Sequence, residues 1–555
     1  MRLRILLFLF SFIVIKTIAQ TAPGKYWVQF TDKNNSPFSI YNPSEYLSEK
    51  CIERRAKYSL GFDERDIPVN ETYISQVLSA GQCELHQKSK WFNAITISSI
   101  DSALVDVVRA LPFVFQVRNV AVFSGDSEID KWEVFGERGL MSVTPKICDG
   151  SEKYGASFRQ IEMLNGQLLH ELNYTGKGVD IAQFDAGWSL SDQLPAFQKL
   201  RDDGRIKMTR DFVYYDNVYN LSNHGTFVLS TMAGIIQDSL IGTAPDANYF
   251  LFRTEDPIGE FLVEEDNWVA AAELSDSLGI DIINSSLGYS LFDNESMNHT
   301  YADMDGNTTR CSIAADIAAE KGILVVNSAG NSGNSPWHFI TAPSDGDSVL
   351  CVGAVDAFAR HAAFSGFGPS SDGDVKPDVV AMGRSTVFAD LDSTITTGNG
   401  TSFSGPIMAG MAACLFQAFP EKSNMDVIQA IRASGDKFLT PNDSLGYGIP
   451  DMMKAFFILA GKNSNPQGDF DAVIFPNPCS EHMNVLLLDG KYCETAYEIY
   501  DAIGKRVYEN SGIYLSGKNG ILQLDVALKS IKPGNYTLHL GRAGRHSVLH
   551  FQKMN

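Results

Sequence analysis

Four polar side chains, widely separated along the chain, are of the types that nucleophilic serine chemistry requires. Asp185 stands in a Phe-Asp-Ala-Gly run, His224 in Asn-His-Gly-Thr, Asn331 in Ser-Ala-Gly-Asn, and Ser402 in Gly-Thr-Ser-Phe-Ser-Gly-Pro. A serine hydroxyl is a poor nucleophile until a base takes its proton; a carboxylate must orient that base, and a donor must face the developing oxyanion. These residues supply those four groups, so the sequence predicts a catalytic site built from them.

The elements that must position these side chains alternate between strands and helices. Over about residues 175–385, short Val- and Ile-rich runs separated by helical segments indicate a parallel sheet with helices on both faces. Asp185 and Asn331 follow strands at their carboxyl ends, where parallel sheets build sites, and His224 and Ser402 open helices. The predicted helices are Val263–Leu278 and Ser312–Lys321, and the predicted strands are Val179–Phe184, Tyr249–Arg253, Ile280–Asn284, Ile323–Asn327, Val349–Val355 and Asp378–Ala381.

This combination of motifs resembles the subtilisin-like serine proteases. The order Asp, His, Ser along the chain is theirs, whereas chymotrypsin-like enzymes and α/β-hydrolases order the same groups differently. The resemblance covers about residues 150–460 and includes four further segments: Gly178–Gly187, Gly242–Pro245, Ile283–Gly288 and Lys376–Ala381. It departs at Ala186, where Ser or Thr is commonest, and at Phe403-Ser404-Gly405, where Met-Ala-Thr or Met-Ala-Ser is usual.

The resemblance implies a fold class and a role for each residue. The fold is an α/β, three-layer parallel sheet with helices on both faces, expected over residues 151–461. Asp185 orients His224, His224 is the general base, Ser402 attacks, and Asn331 donates to the oxyanion. Extended peptide adds as a strand along the substrate-binding residues, which are Ser286, Leu287 and Gly288.

The N-terminal part predicts an export signal followed by a small domain. Arg2 and Arg4 precede an apolar run over Ile5–Ile15, and small residues lead to a cut near Ala19-Gln20, so residues 1–19 are expected to be a signal peptide. Residues 20–150 are expected to form a small α+β domain and a linker at 124–150. This domain resembles the propeptides of the same family, with cleavage expected within 124–155; an attached binding module is the alternative.

The C-terminal part predicts a β-sandwich. A linker at Gly461–Gln467 leads to short alternating strands over residues 468–555. The Phe475-Pro476-Asn477-Pro478 run, the Gly534-Asn535-Tyr536 run and a final strand to Lys553 resemble the sorting domains of the type IX secretion system of Bacteroidetes. A carbohydrate- or protein-binding sandwich is the alternative.

Composition restricts the partners that the chain can have. It has 45 Lys and Arg against 66 Asp and Glu, a net charge of −21, which argues against nucleic acid because phosphate recognition needs clustered cations. Past the signal peptide, no stretch is apolar for the roughly 20 residues that a transmembrane anchor needs. The expected partners are protein or peptide substrates, the chain's own propeptide and the type IX secretion machinery.

The sequence gives weaker signals for metal sites and for acidic binding surfaces than for the catalytic residues. No organic cofactor or metal is expected. The Asp303–Asn307 loop alternates acids with a glycine but lacks the distal glutamate of an EF-hand, so a turn is favoured and calcium is the alternative. The acids of the 255–266 region are interpreted as a solvated face, with a preference for basic substrates as the alternative; they are Glu255, Asp256, Glu260, Glu264, Glu265 and Asp266.

The spacing of the cysteines along the chain does not match that of a metal-binding motif. Cys351, in a core strand, and Cys414, in the helix after Ser402, are expected to be buried free thiols. Cys51 can pair with Cys83, and Cys479 can pair with Cys493, but the sequence does not decide either pairing.

The sequence therefore predicts a secreted or cell-surface serine endopeptidase that is made as a zymogen. The alternative is a catalytically inactive protein of the same fold that binds peptides or glycans. The substrate preference at the cleaved bond is not indicated, because the loops that shape that pocket cannot be placed from sequence.

Overall fold

The computed structural model describes residues 24–121, 153–461 and most of 472–554, with gaps at 476–477, 481–482, 488–493, 516–520 and 543–544. The predicted signal peptide, the linker at 124–150 and residues 462–467 of the second linker lie outside the described residues. Across the described ranges, no helix has the length and apolar character needed to cross a membrane.

The N-terminal domain is a four-stranded antiparallel sheet with three helices. The strand order is β2-β3-β1-β4, and a core that includes Val28, Ile95 and Val108 joins sheet to helices. The small α+β domain predicted from sequence is confirmed. Its elements are β1 (Gly24–Phe30), α1 (Glu49–Lys57), α2 (Glu71–Leu78), β2 (Glu84–Ser89), β3 (Ala94–Ser99), α3 (Leu104–Arg109) and β4 (Val114–Ala121).

The central domain contains a seven-stranded, fully parallel sheet in the order β13-β12-β11-β10-β5-β9-β6. The elements are α4 (Phe158–Glu162), α5 (Gly166–Glu171), β5 (Asp180–Asp185), α6 (Gln198–Asp202), β6 (Ile206–Asp211), α7 (His224–Ala233), β7 (Ile235–Ile236), β8 (Leu240–Ile241), β9 (Asn248–Arg253), α8 (Val263–Leu278), β10 (Ile282–Ser285), α9 (Arg310–Glu320), β11 (Leu324–Ser328), β12 (Val349–Val355), β13 (Val379–Met382), β14 (Thr386–Ala389), β15 (Ile395–Gly398), α10 (Thr401–Ala418), α11 (Asn424–Ser434) and α12 (Met452–Leu459).

Both faces of this sheet are buried, which is why its strands are almost continuously apolar. In β5, Ile181 points into the core on the side of α7, α10, α11 and α12, while Ala182 and Phe184 point to the side of α8 and α9. The predicted three-layer α/β class is confirmed. The six predicted strands and two predicted helices agree with the structure to within two residues at each end.

Helix α10 runs through the centre of the domain and is buried from Thr401 to Phe416. A Cβ on Gly410 would lie 2.0 Å from Oγ1 of Thr243, so only glycine allows the helix to approach that turn so closely. The helix that carries the candidate nucleophile in its first turn is therefore fixed by close packing.

The C-terminal domain consists of two antiparallel sheets that share one core, as expected of a sandwich. The sheets have the orders β16-β17-β20 and β19-β18-β21-β22, and Val485 of the first packs with Ile499 and Leu538 of the second. The elements are β16 (Ala472–Phe475), β17 (Asn484–Leu487), β18 (Glu494–Asp501), β19 (Arg506–Leu515), β20 (Ile521–Gln523), α13 (Asp525–Lys529), β21 (Gly534–Arg542) and β22 (Arg545–Lys553).

The N-terminal domain docks on α8 and on the amino ends of two sheet strands. The carboxylate of Glu273 in α8 accepts hydrogen bonds from the backbone N–H of Lys90 at 2.7 Å and of Trp91 at 3.0 Å. Farther along, the Lys50 ammonium lies 2.6 Å from Asp180, the first residue of β5, and 2.9 Å from Asp281, just before β10. The contact therefore extends to the amino ends of the strands, on the side of the sheet opposite the candidate catalytic residues.

Candidate active site

Asp185 and His224 form a buried hydrogen-bonded pair. Asp185 is the last residue of β5 and His224 is the first residue of α7. Oδ1 of Asp185 lies 2.6 Å from Nδ1 of His224, and neither side chain is exposed. The carboxylate accepts a hydrogen bond from Nδ1–H, so the proton of the neutral ring stays on Nδ1. The other ring nitrogen, Nε2, can therefore accept a proton from another group.

Further donors hold the Asp185 carboxylate in place. The Ala186 backbone N–H donates to Oδ1 at 2.8 Å, and the Gln183 side-chain amide donates to Oδ2 at 3.3 Å. Gln183 also donates to the Gly225 carbonyl at 3.0 Å, which connects β5 to the first turn of α7. Burying a carboxylate is unfavourable unless hydrogen bonds of this kind satisfy its oxygens.

The glycine after His224 is required by a close contact. A Cβ on Gly225 would lie 2.5 Å from the carbonyl oxygen of Gly187 and 2.9 Å from the Trp188 ring. Any side chain here would push α7 away from β5 and separate His224 from Asp185. The His-Gly-Thr motif therefore reflects the packing of these two elements.

Ser402 lies in the first turn of α10 and is hydrogen-bonded to the predicted substrate-binding segment. Its hydroxyl donates to the Ser286 carbonyl at 3.4 Å, and the Ser286 hydroxyl donates back to the Ser402 carbonyl at 3.1 Å. The positive end of the helix dipole at this terminus favours negative charge nearby.

Asn331 lies after β11 with its side-chain orientation fixed by Thr401. Oδ1 of Asn331 accepts from the Thr401 backbone N–H at 2.8 Å and from its hydroxyl at 3.0 Å. A backbone N–H can only donate, so the oxygen must face Thr401 and the NH₂ group must point elsewhere. A Cβ built on Gly400 would lie 3.8 Å from Nδ2 of Asn331 and 3.8 Å from Cβ of Ser402, so both residues lie close to this glycine.

The predicted substrate-binding residues continue from β10. Leu287 is buried, and its carbonyl accepts from the Asn327 side chain at 3.0 Å. Gly288, in contrast, is exposed. Ser286 and Gly288 are two residues apart, so in an extended segment their backbone groups face the same side. An added strand pairs with backbone groups at this spacing.

Phe403, one of the departures from the usual motif, joins the two helices that carry His224 and Ser402. Its ring stacks on Phe388 of β14 at 5.0 Å between centroids, and Phe388 packs at 4.7 Å against Phe227 of α7. The larger side chain therefore fills space beneath the site and removes none of its polar groups.

Family models match nearly the whole described chain. The subtilase family, peptidase S8, matches residues 176–448; the Bacteroidota propeptide domain of that peptidase family matches 25–131; and a secretion-system C-terminal sorting domain matches 473–551. The central domain is a subtilase. The subtilase match contains all four residues that the sequence analysis placed in the catalytic site.

Individual proteins that are similar to this chain match it at low sequence identity. The subtilisin-like protease SBT6.1 of Arabidopsis thaliana is 28% identical over 57% of this chain and 29% of its own length. The thermophilic serine proteinase of Bacillus sp. strain AK1 is 33% identical over 44% of this chain and 55% of its own length. The chain thus spans between about a third and about half of these curated relatives. The crystal structure of MycP1 without its N-terminal propeptide is 22% identical and covers 54% of this chain and 96% of that one, with a TM-score of 0.42.

The acidic residues before and within α8 are mostly buried, so the prediction of a solvated face is wrong. The Glu264 carboxylate accepts from the backbone N–H groups of Asp256 at 2.7 Å and Phe261 at 2.8 Å. Burial opposes ionisation of Glu265, but His299 at 2.6 Å and Arg310 outweigh it, so the pKa of Glu265 is lowered. His299 and Arg310, which neutralise Glu265, are distant from it in sequence, so the local pattern could not indicate them.

The Asp303–Asn307 loop has the hydrogen bonds of a turn. Asp303 accepts from the Thr300 backbone N–H at 2.6 Å. Asp305 accepts from the Asn307 backbone N–H at 2.9 Å and the Thr308 hydroxyl at 3.0 Å. Because donors of the loop itself occupy these carboxylate oxygens, the loop fits the turn better than a calcium site.

Six of the eight cysteines lie in the part of the chain that the structure describes, and all six are free thiols. Cys51 and Cys83 are therefore not paired, and Cys493, the possible partner of Cys479, lies outside the described residues. Cys351 and Cys414 are buried as predicted, and burial raises the pKa of Cys351 to about 12.

Two residues that position the site were not identified from sequence. Gln183 precedes Asp185 by two residues, so both side chains lie on one face of β5, and the alternation of strand side chains could have indicated it. Thr401 is adjacent to Ser402, but its bonds to Asn331 depend on a loop 70 residues away, for which the sequence carries no signal.

Proposed function

We propose that this protein is a serine endopeptidase with Ser402 as nucleophile. In the first step, Oγ of Ser402 attacks the carbonyl carbon of a peptide bond while Nε2 of His224 takes the hydroxyl proton. Asp185 stabilises the resulting imidazolium, and Nδ2 of Asn331 donates to the oxyanion. His224 then gives the proton to the leaving amine, and water hydrolyses the acyl-enzyme by the same route.

The observation that supports this proposal best is the buried 2.6 Å contact between Asp185 and His224. Burying a carboxylate and an imidazole together costs desolvation that an ordinary structural histidine does not require. Helix α7, which carries His224, packs against α10, which begins at Thr401-Ser402, and Thr401 fixes the orientation of the Asn331 side chain. Each group that the mechanism requires is therefore present.

Fluorophosphonate labelling with peptide hydrolysis tests the proposal. The processed enzyme should be labelled and should cleave peptides, and Ser402→Ala should abolish both. Ser404→Ala is the matched control, because Ser404 is a buried hydroxyl on the same helix that donates to the Thr401 carbonyl at 3.0 Å. If neither wild type nor control is labelled, the rival function, binding of peptides or glycans by an inactive subtilase fold, gains support.

We further propose that the N-terminal domain is an inhibitory propeptide and that the protein is secreted or held at the cell surface. The propeptide-family match and the docking on α8 support the first point, and the sorting-domain match supports export by the type IX machinery. Cleavage is expected within residues 124–155. The Ser402→Ala precursor should stay intact where wild type is shortened, as N-terminal sequencing would show.

A further inference from the structure

Arg253, the last residue of β9, is a buried cation at the carboxyl ends of three neighbouring strands. It pairs in register with Asp185, at the end of β5, on one side and with Asp211, at the end of β6, on the other. Its side chain is fully buried, and a buried charge is unfavourable unless it is paired and hydrogen-bonded. The partners of the guanidinium therefore indicate which segments it holds in place.

The guanidinium is hydrogen-bonded to both segments that carry the Asp185–His224 pair. Its Nε donates to the carbonyl of Ala186, the residue after Asp185, at 3.0 Å. Its Nη2 donates to the carbonyl of Asn220 at 2.9 Å and to Oδ1 of the same residue at 2.7 Å, in the loop that leads to His224. A planar guanidinium holds its donors in a fixed fork, so one rigid group sets the spacing of the two segments.

Asp211 holds the start of the same loop, residues 212–223. Its Oδ2 accepts from Nη1 of Arg253 at 2.9 Å and from the Asp216 backbone N–H at 3.1 Å. Its Oδ1 accepts from the backbone N–H groups of Val213 at 2.8 Å and Tyr214 at 3.2 Å. The ion pair therefore neutralises the buried guanidinium and orders the first residues of the loop.

The loop contains two backbone conformations that its own side chains do not impose. The φ angles are 60° at Tyr215 and 68° at Leu221, in the left-handed region that is unfavourable for residues other than glycine. The two residues are 50% and 57% exposed. Such conformations persist where surrounding contacts impose them. The hydrogen bonds of Asp211 surround Tyr215 in the chain, and those of Arg253 reach the residue before Leu221.

Backbone hydrogen bonds also join the segment after β5 to this loop. The Trp188 N–H donates to the Val218 carbonyl at 2.8 Å, and the Ser189 N–H donates to the Ser222 carbonyl at 3.0 Å. These bonds remain when the side chain of Arg253 is changed. We therefore expect a substitution of Arg253 to shift the loop rather than to detach it.

We propose that Arg253 is a positioning residue, which keeps the loop before His224 at the distance from β5 that the Asp185–His224 hydrogen bond requires. This inference rests on the proposed peptidase function. The guanidinium acts through its contacts with Ala186 and Asn220 rather than on the reacting atoms. Without its fork, the His224 ring shifts relative to Asp185, which weakens the orientation of the base and the stabilisation of the imidazolium.

The test compares processed wild type with Arg253→Lys, which keeps the positive charge beside Asp211 but loses the fork. Active sites are titrated with a fluorophosphonate, and kcat per titrated site is expected to fall by about tenfold with little change in KM. The acid limb of the pH profile of kcat/KM should move to lower pH, because a less stabilised imidazolium gives up its proton more readily.

A second variant tests the same contact without changing the buried charge. Asn220→Ala removes only the 2.7 Å bond to Oδ1 and keeps the bond to the carbonyl. It should show the same two changes at a few-fold size, and it should add little to Arg253→Lys, because both act on one contact. If Arg253→Lys yields no folded enzyme, Asn220→Ala decides by the same criteria.

Arg205→Lys is the matched control. Arg205 is also a buried arginine, but it precedes β6, and its donors reach Asp203 at 3.1 Å and the Ala247 carbonyl at 2.8 Å, at the amino ends of the strands. This change should leave kcat and the acid limb unaltered. An unchanged kcat per titrated site, or an acid limb that does not move, overturns the role of Arg253 alone. Absence of labelling and hydrolysis in wild type overturns the peptidase function and this inference with it.

Discussion

The guanidinium of Arg54, in the N-terminal domain, lies 2.6 Å from the carboxylate of Asp276 in α8 of the central domain, and both side chains are buried. Arg55 approaches the same carboxylate at 2.9 Å and Lys90 at 3.4 Å. Burial opposes ionisation of Asp276, but Lys90, Arg54 and Arg55 together hold its pKa well below the usual range. Three cations of one domain are thus arranged around one anion of the other.

Asp276→Asn should destabilise the unprocessed protein strongly, because it removes the anion that Arg54 pairs with and leaves Arg55 with Asp66 alone. Removing one partner of a buried ion pair costs about 3–5 kcal/mol. Urea unfolding of the Ser402→Ala precursor, with and without Asp276→Asn, measures the loss. Asp106→Asn is the control, since Asp106 pairs with Arg109 on the surface and its side chain is 84% exposed. Equal effects of the two changes would contradict this account of the interface.

Acidification should weaken the contact between the two domains through His86. Its Nε2 lies 3.0 Å from the Asn267 side chain in α8, and burial, followed by the neighbouring Lys25, lowers the pKa of His86 to about 3. The docked histidine therefore resists a proton that the unfolded chain takes up near pH 6.5. The contribution to stability is complete above pH 6.5 and is lost as the pH falls towards 3, at about 1.4 kcal/mol per pH unit.

Comparison with His86→Gln isolates this effect. Asp266 acts in the opposite direction, because burial raises its pKa to about 6 and protonation between pH 6 and 4 then stabilises the fold. In the Ser402→Ala background, the drop in unfolding free energy from pH 7 to pH 5 should be smaller in His86→Gln by about 2 kcal/mol. The same drop in both proteins would assign the pH dependence to other groups.

Asp185→Asn should reduce kcat by about 10⁴-fold while the protein still folds. The amide can donate its own N–H to Nδ1, which places the His224 proton on Nε2, where it cannot take the serine proton. The neutral amide also cannot stabilise the imidazolium as a carboxylate does. Steady-state peptide hydrolysis measures the loss, and circular dichroism confirms the fold. Activity within tenfold of wild type would show that His224 does not depend on this carboxylate.

Asn331→Ala should slow the reaction by about 100- to 1000-fold in kcat with little change in KM, because the oxyanion develops only after binding; this is the range measured for the equivalent donor in subtilisin. A 100- to 1000-fold rise in KM with unchanged kcat would instead show that Asn331 acts in substrate binding.

Thr401→Val should have a smaller effect of the same kind. It removes the 3.0 Å hydroxyl bond to Oδ1 of Asn331 but keeps the 2.8 Å backbone bond. We expect a few-fold loss in kcat, and none when Asn331 is already Ala, because Thr401 acts only through that amide. Losses that multiply in the double variant would contradict this positioning role.

Much of the site could be predicted from sequence because its residues stand in short motifs with local physical causes. Gly225 follows His224 because α7 touches β5 there, and this need for glycine is visible in the sequence. The elements were predicted for a similar reason, since strands such as β12 are buried on both faces and are continuously apolar. The edge strand β6, with the alternating exposure of Ile206 to Asp211, lacks that pattern and was not predicted.

The features that the sequence did not indicate depend on partners that are distant in the chain. Glu265 lies in an acidic run that is typical of a solvated face, and only the folded chain brings His299 and Arg310 to it.

The bridge from Lys50 to Asp180 and Asp281 has a consequence for how the sheet assembles. The two aspartates are 101 positions apart but begin neighbouring parallel strands, and pairing such distant segments is the slow part of folding. The lysine is synthesised before either aspartate and attracts both. We therefore expect the proposed propeptide to help bring these two strand ends together, so that a substitution at Lys50 would lower the yield of folded protein.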